Sequence, residues 1–157
     1  MTSLPHAPMA AHPGFEQRVR ESFARQAAMT TLGARLGAIG AGRVELLMEH
    51  RAELTQQHGF LHAGIVAAAL DSACGYAAFT LMPDDAAVLT IEFKINLLAP
   101  ARGPRFRLEG VVIKPGRTIS VVDGRALQSD DDGANVKLVA TMTATVMAVR
   151  GRESLRH

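Results

Sequence analysis

One carboxylate lies inside the most apolar stretch of the chain. Asp71 is near the middle of residues 63–82, where almost every neighbour is apolar. A carboxylate on a buried helix is costly unless it is paired or used. Beside an activated carbonyl it can attack directly to give an anhydride, or it can deprotonate a water molecule. The sequence leaves both mechanisms open, together with a purely structural role for Asp71 inside an interface.

A second candidate group is the start of the same predicted helix. The polar turn Gln57-His58-Gly59 leads into the apolar stretch, and a helix N-terminus presents unpaired N–H groups with a partial positive charge. Such donors can stabilise the negative charge that develops on a carbonyl oxygen. If residue 62 or 63 begins the helix, Asp71 lies about two and a half turns further on. It cannot then reach its own helix N-terminus, which favours a dimer with composite sites.

Hydrophobic periodicity predicts the elements that position these groups. Residues 1–12 are expected to be a flexible leader, residues 13–149 a single domain, and residues 150–157 a charged tail. An amphipathic helix is predicted to about residue 29, because Phe15, Val19 and Phe23 recur at helical spacing. Strands are expected at 34–39, 43–49, 88–98, 105–113, 118–128 and 136–149, with the long helix between the second and third. Helices segregated from antiparallel strands indicate an α+β fold.

The strand at 88–98 has the clearest alternation in the chain. The pattern predicts one apolar face and one polar face. The apolar face comprises Leu89, Ile91, Phe93, Ile95 and Leu97, and the polar face comprises Thr90, Glu92, Lys94 and Asn96.

Composition excludes several classes of protein. A length of 157 residues favours one domain. The net charge of +2, the low aromatic content and the lack of long like-charge tracts give no support for nucleic-acid binding. A single cysteine, Cys74, excludes an intramolecular disulfide framework and favours a reducing compartment. No signal-peptide pattern precedes residue 15, so a cytoplasmic location is expected. Residues 63–82 are rich in Ala and Gly and centred on Asp71, which favours a buried helix over a membrane span.

The central motifs resemble those of a known family. Gly59-Phe60-Leu61-His62-Ala63-Gly64, then Asp71, then the segment 90–96 and Ala99-Pro100 resemble the hotdog-fold acyl-CoA thioesterases of the PaaI (phenylacetate-degradation) type. The resemblance covers about residues 35–149. It implies a long helix wrapped by a curved antiparallel sheet of five to six strands. It also implies edge-to-edge homodimers with active sites at the interface, dimers that often pair into tetramers, and hydrolysis of an acyl-CoA without a separate cofactor.

The resemblance also assigns roles to individual residues. The catalytic carboxylate falls on Asp71, the oxyanion-binding N–H on Ala63 with Gly64 beside it, and the turn histidine on His62. The water-orienting amide falls on Gln56 or its neighbour Gln57, and the strand hydroxyl on Thr90. Substrate or coenzyme A contacts are assigned to Gln57, Asn96, Lys114, Gly116, Arg117 and Thr118. The family's usual His-Gly-Gly reads His62-Ala63-Gly64 here, which keeps the backbone donor, whereas Gln56 is one methylene longer than the usual Asn.

Alternative sites and functions follow from other residues. His58 and His62 have the spacing of a helical zinc pair, but no Glu lies between them and no third ligand is evident, so no metal is expected. A nucleophilic role for Cys74 would require a neighbouring base, and the sequence places none beside it. Four arginines near two strand ends could either form a solvent-exposed face or bind the phosphates of coenzyme A. They are Arg102, Arg105, Arg107 and Arg117. Two rival functions are a non-catalytic acyl-CoA-binding protein and a hydratase or dehydratase, although the Asp-x-Asn-Pro-x-His pattern typical of the latter is absent.

Overall fold

The computed structural model describes residues 11–151. Two short helices, α1 (Phe15–Ala24) and α2 (Ala27–Leu32), precede the strands β1 (Arg35–Gly40) and β2 (Arg43–Glu49). A 3₁₀ turn at Ala52–Leu54 leads to the long helix α3 (Ala63–Phe79). The strands β3 (Ala87–Leu97), β4 (Arg105–Lys114), β5 (Ile119–Ser129) and β6 (Lys137–Val149) follow. The leader and tail predicted at 1–12 and 150–157 lie mostly outside the described residues.

All of the strands belong to one antiparallel sheet that wraps around α3. Its order is β1-β2-β4-β5-β6-β3, so β1 and β3 are the edge strands. Helix α3 contacts every strand from β2 to β6, as a curved sheet around a central helix requires. The predicted α+β fold, with a long central helix inside a six-stranded antiparallel sheet, is therefore confirmed.

Two glycines allow α3 to pack directly on the sheet. Gly110 of β4 and Gly124 of β5 are paired across the sheet beneath the helix. A Cβ added at residue 110 would come 2.8 Å from the Cα of Cys74, and one at residue 124 would come 2.9 Å from its Sγ. Real Cβ atoms are not found so close to other atoms. These positions therefore determine how closely the helix approaches the sheet, and with it the position of every α3 side chain.

The single helix predicted to residue 29 is instead two helices. Helix α1 ends at Ala24, and Gln26 has the non-helical angles φ −83° and ψ 89° before α2 begins. A straight helix has 3.6 residues per turn and would direct Met29 about 80° round the helix axis from Val19. The break buries both side chains completely or nearly so, at 0% and 1% exposure. The N-terminal helical segment packs on α3, with Phe23 and Tyr76 in edge-to-face contact at 5.7 Å.

The predicted faces of β3 hold from Glu92 to Leu97 but are exchanged at Leu89 and Thr90, because the strand contains a β-bulge. The register with β6 shifts between Thr90 and Glu92, so Ile91 is an extra residue. One inserted residue exchanges the two faces of a strand beyond it. Thr90 therefore lies on the helix side, together with Phe93 beyond the bulge. Leu89 lies on the outer side and is 42% exposed.

Candidate active site

The first turn of α3 has one backbone donor without an acceptor. His62 is the N-cap residue, and its Nδ1 accepts a hydrogen bond from the N–H of Gly64 at 2.9 Å. The N–H groups of Ile65 and Val66 donate to the carbonyl oxygen of His62 at 2.9 and 3.3 Å. Within residues 11–151, the N–H of Ala63 is thus the first-turn donor left for a ligand. Because Nδ1 of His62 accepts, the neutral ring carries its proton on Nε2.

The loop before α3 is held by its own hydrogen bonds. The backbone N–H of Gln56 donates to the carbonyl oxygen of Phe60 at 2.9 Å, and the N–H of His58 donates to Oε1 of Gln56. Gly59 has φ 80°, a left-handed conformation that favours glycine. The Oε1 of Gln56 is therefore used within the turn, and only its Nε2 is left to contact a ligand. Gln57 is exposed on the outside of the loop and does not line the groove described below.

Asp71 is paired with the hydroxyl group predicted for it. Oγ1 of Thr90 donates a hydrogen bond to Oδ1 of Asp71 at 2.8 Å. This contact exists because the bulge in β3 places Thr90 on the helix side. Burial raises the pKa of Asp71 because it disfavours the charged form, and the hydrogen bond from Thr90 partly lowers that pKa. The second carboxylate oxygen, Oδ2, is left for chemistry.

Asp71 and the Ala63 donor cannot act on one substrate within a single chain. They are eight residues apart on a helix, which corresponds to a rise of about 12 Å. A carbonyl group bound at Ala63 is then well beyond the reach of an Asp side chain. The two groups must come from different copies of the chain if they work together.

An apolar groove opens beside the Ala63 N–H. It has a volume of about 390 Å³ and lies between the loop before α3, the first turns of α3 and the end of β3. Phe60, Ala63 and Val66 form one wall, and Leu97 and Leu98 belong to the other. A groove of this size is within the range of small-molecule sites.

The turn assigned to coenzyme A lies at the other end of the sheet from this groove. Within the turn, the N–H of Gly116 donates to Oγ of Ser120 at 3.1 Å. The N–H of Ala148 donates to the carbonyl oxygen of Thr118 at 2.8 Å, and Ala148 is paired with Val88 at the start of β3. Thr118 and its neighbour Arg117 therefore lie near the start of β3, as Asp71 does through Thr90. Lys114 belongs to β4, three strands away from β3 in the sheet.

Asn96 is not brought together with the other predicted site residues. Its Nδ2 donates to Oγ1 of Thr141 at 3.3 Å, and its Oδ1 accepts from Nζ of Lys94 at 2.9 Å. Both partners belong to the outer row of the sheet, which faces away from α3. A contact between Asn96 and a substrate in the groove is therefore not supported by the fold of one chain.

Two features of the site were not predicted from the sequence. The guanidinium carbon of Arg102 lies 4.4 Å above the centre of the Phe60 ring, and Val139 and Ala140 of β6 complete the groove wall. The aromatic residue Phe60 beside Gly59 in a polar turn was a signal that this loop contributes to a site. No sequence signal linked Phe60 to Arg102.

Other chemistry at the site is disfavoured by the geometry. Cys74 is completely buried, and burial together with the charges of Asp71 and Asp123 raises its pKa to about 12, so its reactive thiolate is scarce. Within residues 11–151, no three His, Cys, Asp or Glu side chains come close enough to hold a metal ion. None of the helices in this range is long and apolar enough to cross a membrane.

Comparison with known proteins gives consistent results. A family model described as the thioesterase superfamily matches residues 58–134. A thioesterase family protein from Silicibacter pomeroyi has a crystal structure that is 58% identical, covers 88% of this chain and 100% of its own, and superposes with a TM-score of 0.85. The PaaI protein of the E. coli phenylacetic acid degradation operon is 18% identical. It covers 90% of this chain and 98% of its own with a TM-score of 0.79, which shows the fold alone.

Two archaeal relatives match part of the chain. Both come from Saccharolobus solfataricus and are named as inferred esterases. One is 38% identical over 52% of this chain and 58% of its own length. The other is 33% identical over 67% of this chain and 69% of its own length. The first match therefore spans less than two thirds of that relative.

Proposed function

Because this chain belongs to the thioesterase superfamily of hotdog-fold proteins, we propose that it hydrolyses an acyl-CoA thioester to a free acid and coenzyme A. The observation that carries the proposal is the unpaired N–H of Ala63 at the start of α3, beside an apolar groove. A thioester carbonyl placed there receives a hydrogen bond and the field of the helix N-terminus. Both strengthen as negative charge develops on the oxygen in the transition state.

Asp71 supplies the second half of the chemistry. As a nucleophile, its Oδ2 attacks the carbonyl carbon, the C–S bond breaks, and the coenzyme A thiolate leaves and takes up a proton. Water then hydrolyses the resulting anhydride. As a general base, Asp71 takes a proton from water, and the hydroxide attacks the same carbon before the C–S bond breaks. In both routes the carboxylate form reacts and the bond from Thr90 orients it.

The composite site forms in a dimer joined along β3. This edge strand has 11 residues, with Ile91 and Phe93 53% and 43% exposed. A long, apolar edge of this kind is a template for pairing with another strand. Antiparallel pairing of β3 with a second copy lays the start of one strand against the end of the other. Asp71 and Thr118, in the turn assigned to coenzyme A, are at the start of β3, and Ala63 is at its end, so each pair of partners forms two complete sites.

We also propose a tetramer and a cytoplasmic location. The outer face of the sheet presents apolar side chains that a second dimer can cover; Leu89, Val111, Ile113 and Ile119 are 40–43% exposed. The single cysteine suits a reducing compartment. The proposed reaction uses no cofactor, because coenzyme A is part of the substrate.

The test is thiol release from a panel of acyl-CoAs by wild-type protein and by Asp71→Asn. Asparagine has the same shape and can still accept the Thr90 hydrogen bond, but it neither attacks nor takes a proton at neutral pH. Turnover is expected to be lost while the fold, followed by circular dichroism, and coenzyme A binding, followed by calorimetry, are kept.

Asp123→Asn is the matched control, because this carboxylate is exposed on the outer face of the sheet and should not affect turnover. A wild-type kcat in Asp71→Asn would show that the assigned carboxylate is wrong. Binding of coenzyme A without turnover of any acyl-CoA by the wild-type protein would instead favour the non-catalytic binder.

A further inference from the structure

The groove beside Ala63 offers very little polar chemistry. Gln56 is the one polar side chain among the described residues that line it, and its Oε1 already accepts the N–H of His58. On the opposite wall, Leu97 and Leu98 are 56% and 55% exposed. Covering such a surface with an apolar group is favourable by about 25 cal/mol per Å².

The two arms of a thioester differ in how well they fit this groove. With the carbonyl oxygen at the Ala63 N–H, one arm is the acyl group and the other is coenzyme A, which carries amides, hydroxyls and phosphates. Each polar group placed in an apolar groove without a partner costs about 1–3 kcal/mol. An alkyl or aryl arm avoids that cost. The groove therefore suits the acyl arm, and coenzyme A is directed toward solvent and the basic turn at 114–118 of the partner copy in the proposed dimer.

Phe60 is the largest side chain in the groove wall and its position is fixed from two sides. The guanidinium group of Arg102 lies over its ring at 4.4 Å. The next residue, Leu61, donates its N–H to the carbonyl oxygen of Ala101 at 3.0 Å, so the loop before α3 is tied to the segment after β3. The ring cannot move away from the groove without breaking the stack with Arg102.

We propose that the groove selects an uncharged, apolar acyl group, and that Phe60, held in place by Arg102, limits the size of that group. This inference rests on the proposed thioesterase function and specifies its substrate class. Phe60 and Arg102 act as a specificity-determining pair in it, and Arg102 acts only through its contact with Phe60.

The first test uses the unaltered protein. The value of kcat/KM is measured for straight-chain acyl-CoAs from butanoyl to dodecanoyl, for benzoyl- and phenylacetyl-CoA, and for succinyl-CoA. We expect kcat/KM to rise by up to about fourfold per methylene until the groove is full, and then to fall. Succinyl-CoA should be at least about 100-fold poorer than butanoyl-CoA, because its carboxylate has no partner in the groove. Equal rates for these two substrates would overturn the proposal.

The second test changes the wall. Phe60→Ala should move the preferred straight chain at least two carbons longer, and Arg102→Gln should move it in the same direction by less because the ring remains but is no longer held. Arg35→Gln, an exposed arginine that does not line the groove, is the matched control and should leave the profile unchanged. Phe60→Leu provides a milder change if the alanine variant does not fold.

The two levels of the proposal fail differently. An unchanged chain-length profile in Phe60→Ala, with activity retained, would refute the role of Phe60 and leave the thioesterase assignment intact. No thiol release from any acyl-CoA by the wild-type protein would refute the assignment itself.

Discussion

Replacing Ala63 with proline should remove the proposed oxyanion donor while leaving the fold intact. Proline lacks a backbone N–H and is favoured at the first position of a helix, where that N–H has no partner in the helix. Ala63 occupies this position, and His62 before it has φ −59° and ψ 139°. This ψ lies in the extended range that the residue before a proline prefers. The substitution is therefore a local deletion of one hydrogen-bond donor.

The expected magnitude follows from the number of donors in the first turn. Gly64, Ile65 and Val66 already have acceptors, so no neighbouring N–H in this turn replaces that of Ala63. Loss of one oxyanion donor typically costs about 3–4 kcal/mol in the transition state, or about 100- to 1,000-fold in kcat. Thermal stability should be unchanged or slightly higher, because proline restricts the unfolded chain.

The assay is thiol release at saturating acyl-CoA, so that kcat is separated from substrate binding. Ala63→Gly is the matched variant, since it keeps the N–H, and it should lose much less activity than Ala63→Pro. Thermal melting and coenzyme A binding check that the proline variant is folded and accessible. A kcat within about threefold of wild type in a folded Ala63→Pro protein would refute the assignment of Ala63 as the donor.

Three further predictions concern the pH profile, packing and assembly. Thr90→Val removes the hydrogen bond that lowers the pKa of Asp71, so the acid limb of the pH profile of kcat/KM should move to higher pH. Thr90→Ser, which keeps the hydroxyl group, should restore the wild-type profile. An acid limb that stays in place or moves to lower pH in Thr90→Val would contradict this prediction. Gly110→Ala places a Cβ 2.6 Å from the carbonyl carbon of Ala73 and should lower the free energy of unfolding, measured in urea, by about 3 kcal/mol. At Gly75 an added Cβ meets nothing within 4 Å, so Gly75→Ala is the control that should not destabilise the protein. Ile91→Lys should convert the dimer to a monomer in light scattering and abolish turnover, whereas the equally exposed Val136→Lys, outside β3, should do neither.

Much of the architecture could be predicted from local pattern. Strand β2 was predicted with its observed bounds because Val44, Leu46 and Met48 alternate with polar residues and are buried as that pattern requires. The Ala-rich segment forms α3 because its residues favour helix and are apolar on nearly all sides. In both cases the prediction rests on which residues close together in the chain are buried, and the spacing of apolar residues in the sequence indicates this directly.

The details that make a site were decided by contacts between distant segments. The sequence of β3 alternates between apolar and polar residues whether or not the strand contains a bulge. Only its register with β6 shows that Thr90 faces Asp71 and Asn96 faces away. The break between α1 and α2 likewise depends on what Met29 packs against.

The sequence by itself therefore determined most of the elements, the fold class and the family resemblance, including Asp71 and Ala63 as the residues of interest. Only the tertiary structure decided that Thr90 donates its hydroxyl to Asp71, and that Arg102 holds Phe60 in the groove wall. The physical reason is that helix and strand formation depend on neighbours in sequence. The hydrogen-bond partner that a side chain finds, and the ring against which it packs, depend on which distant residues the fold brings together in space.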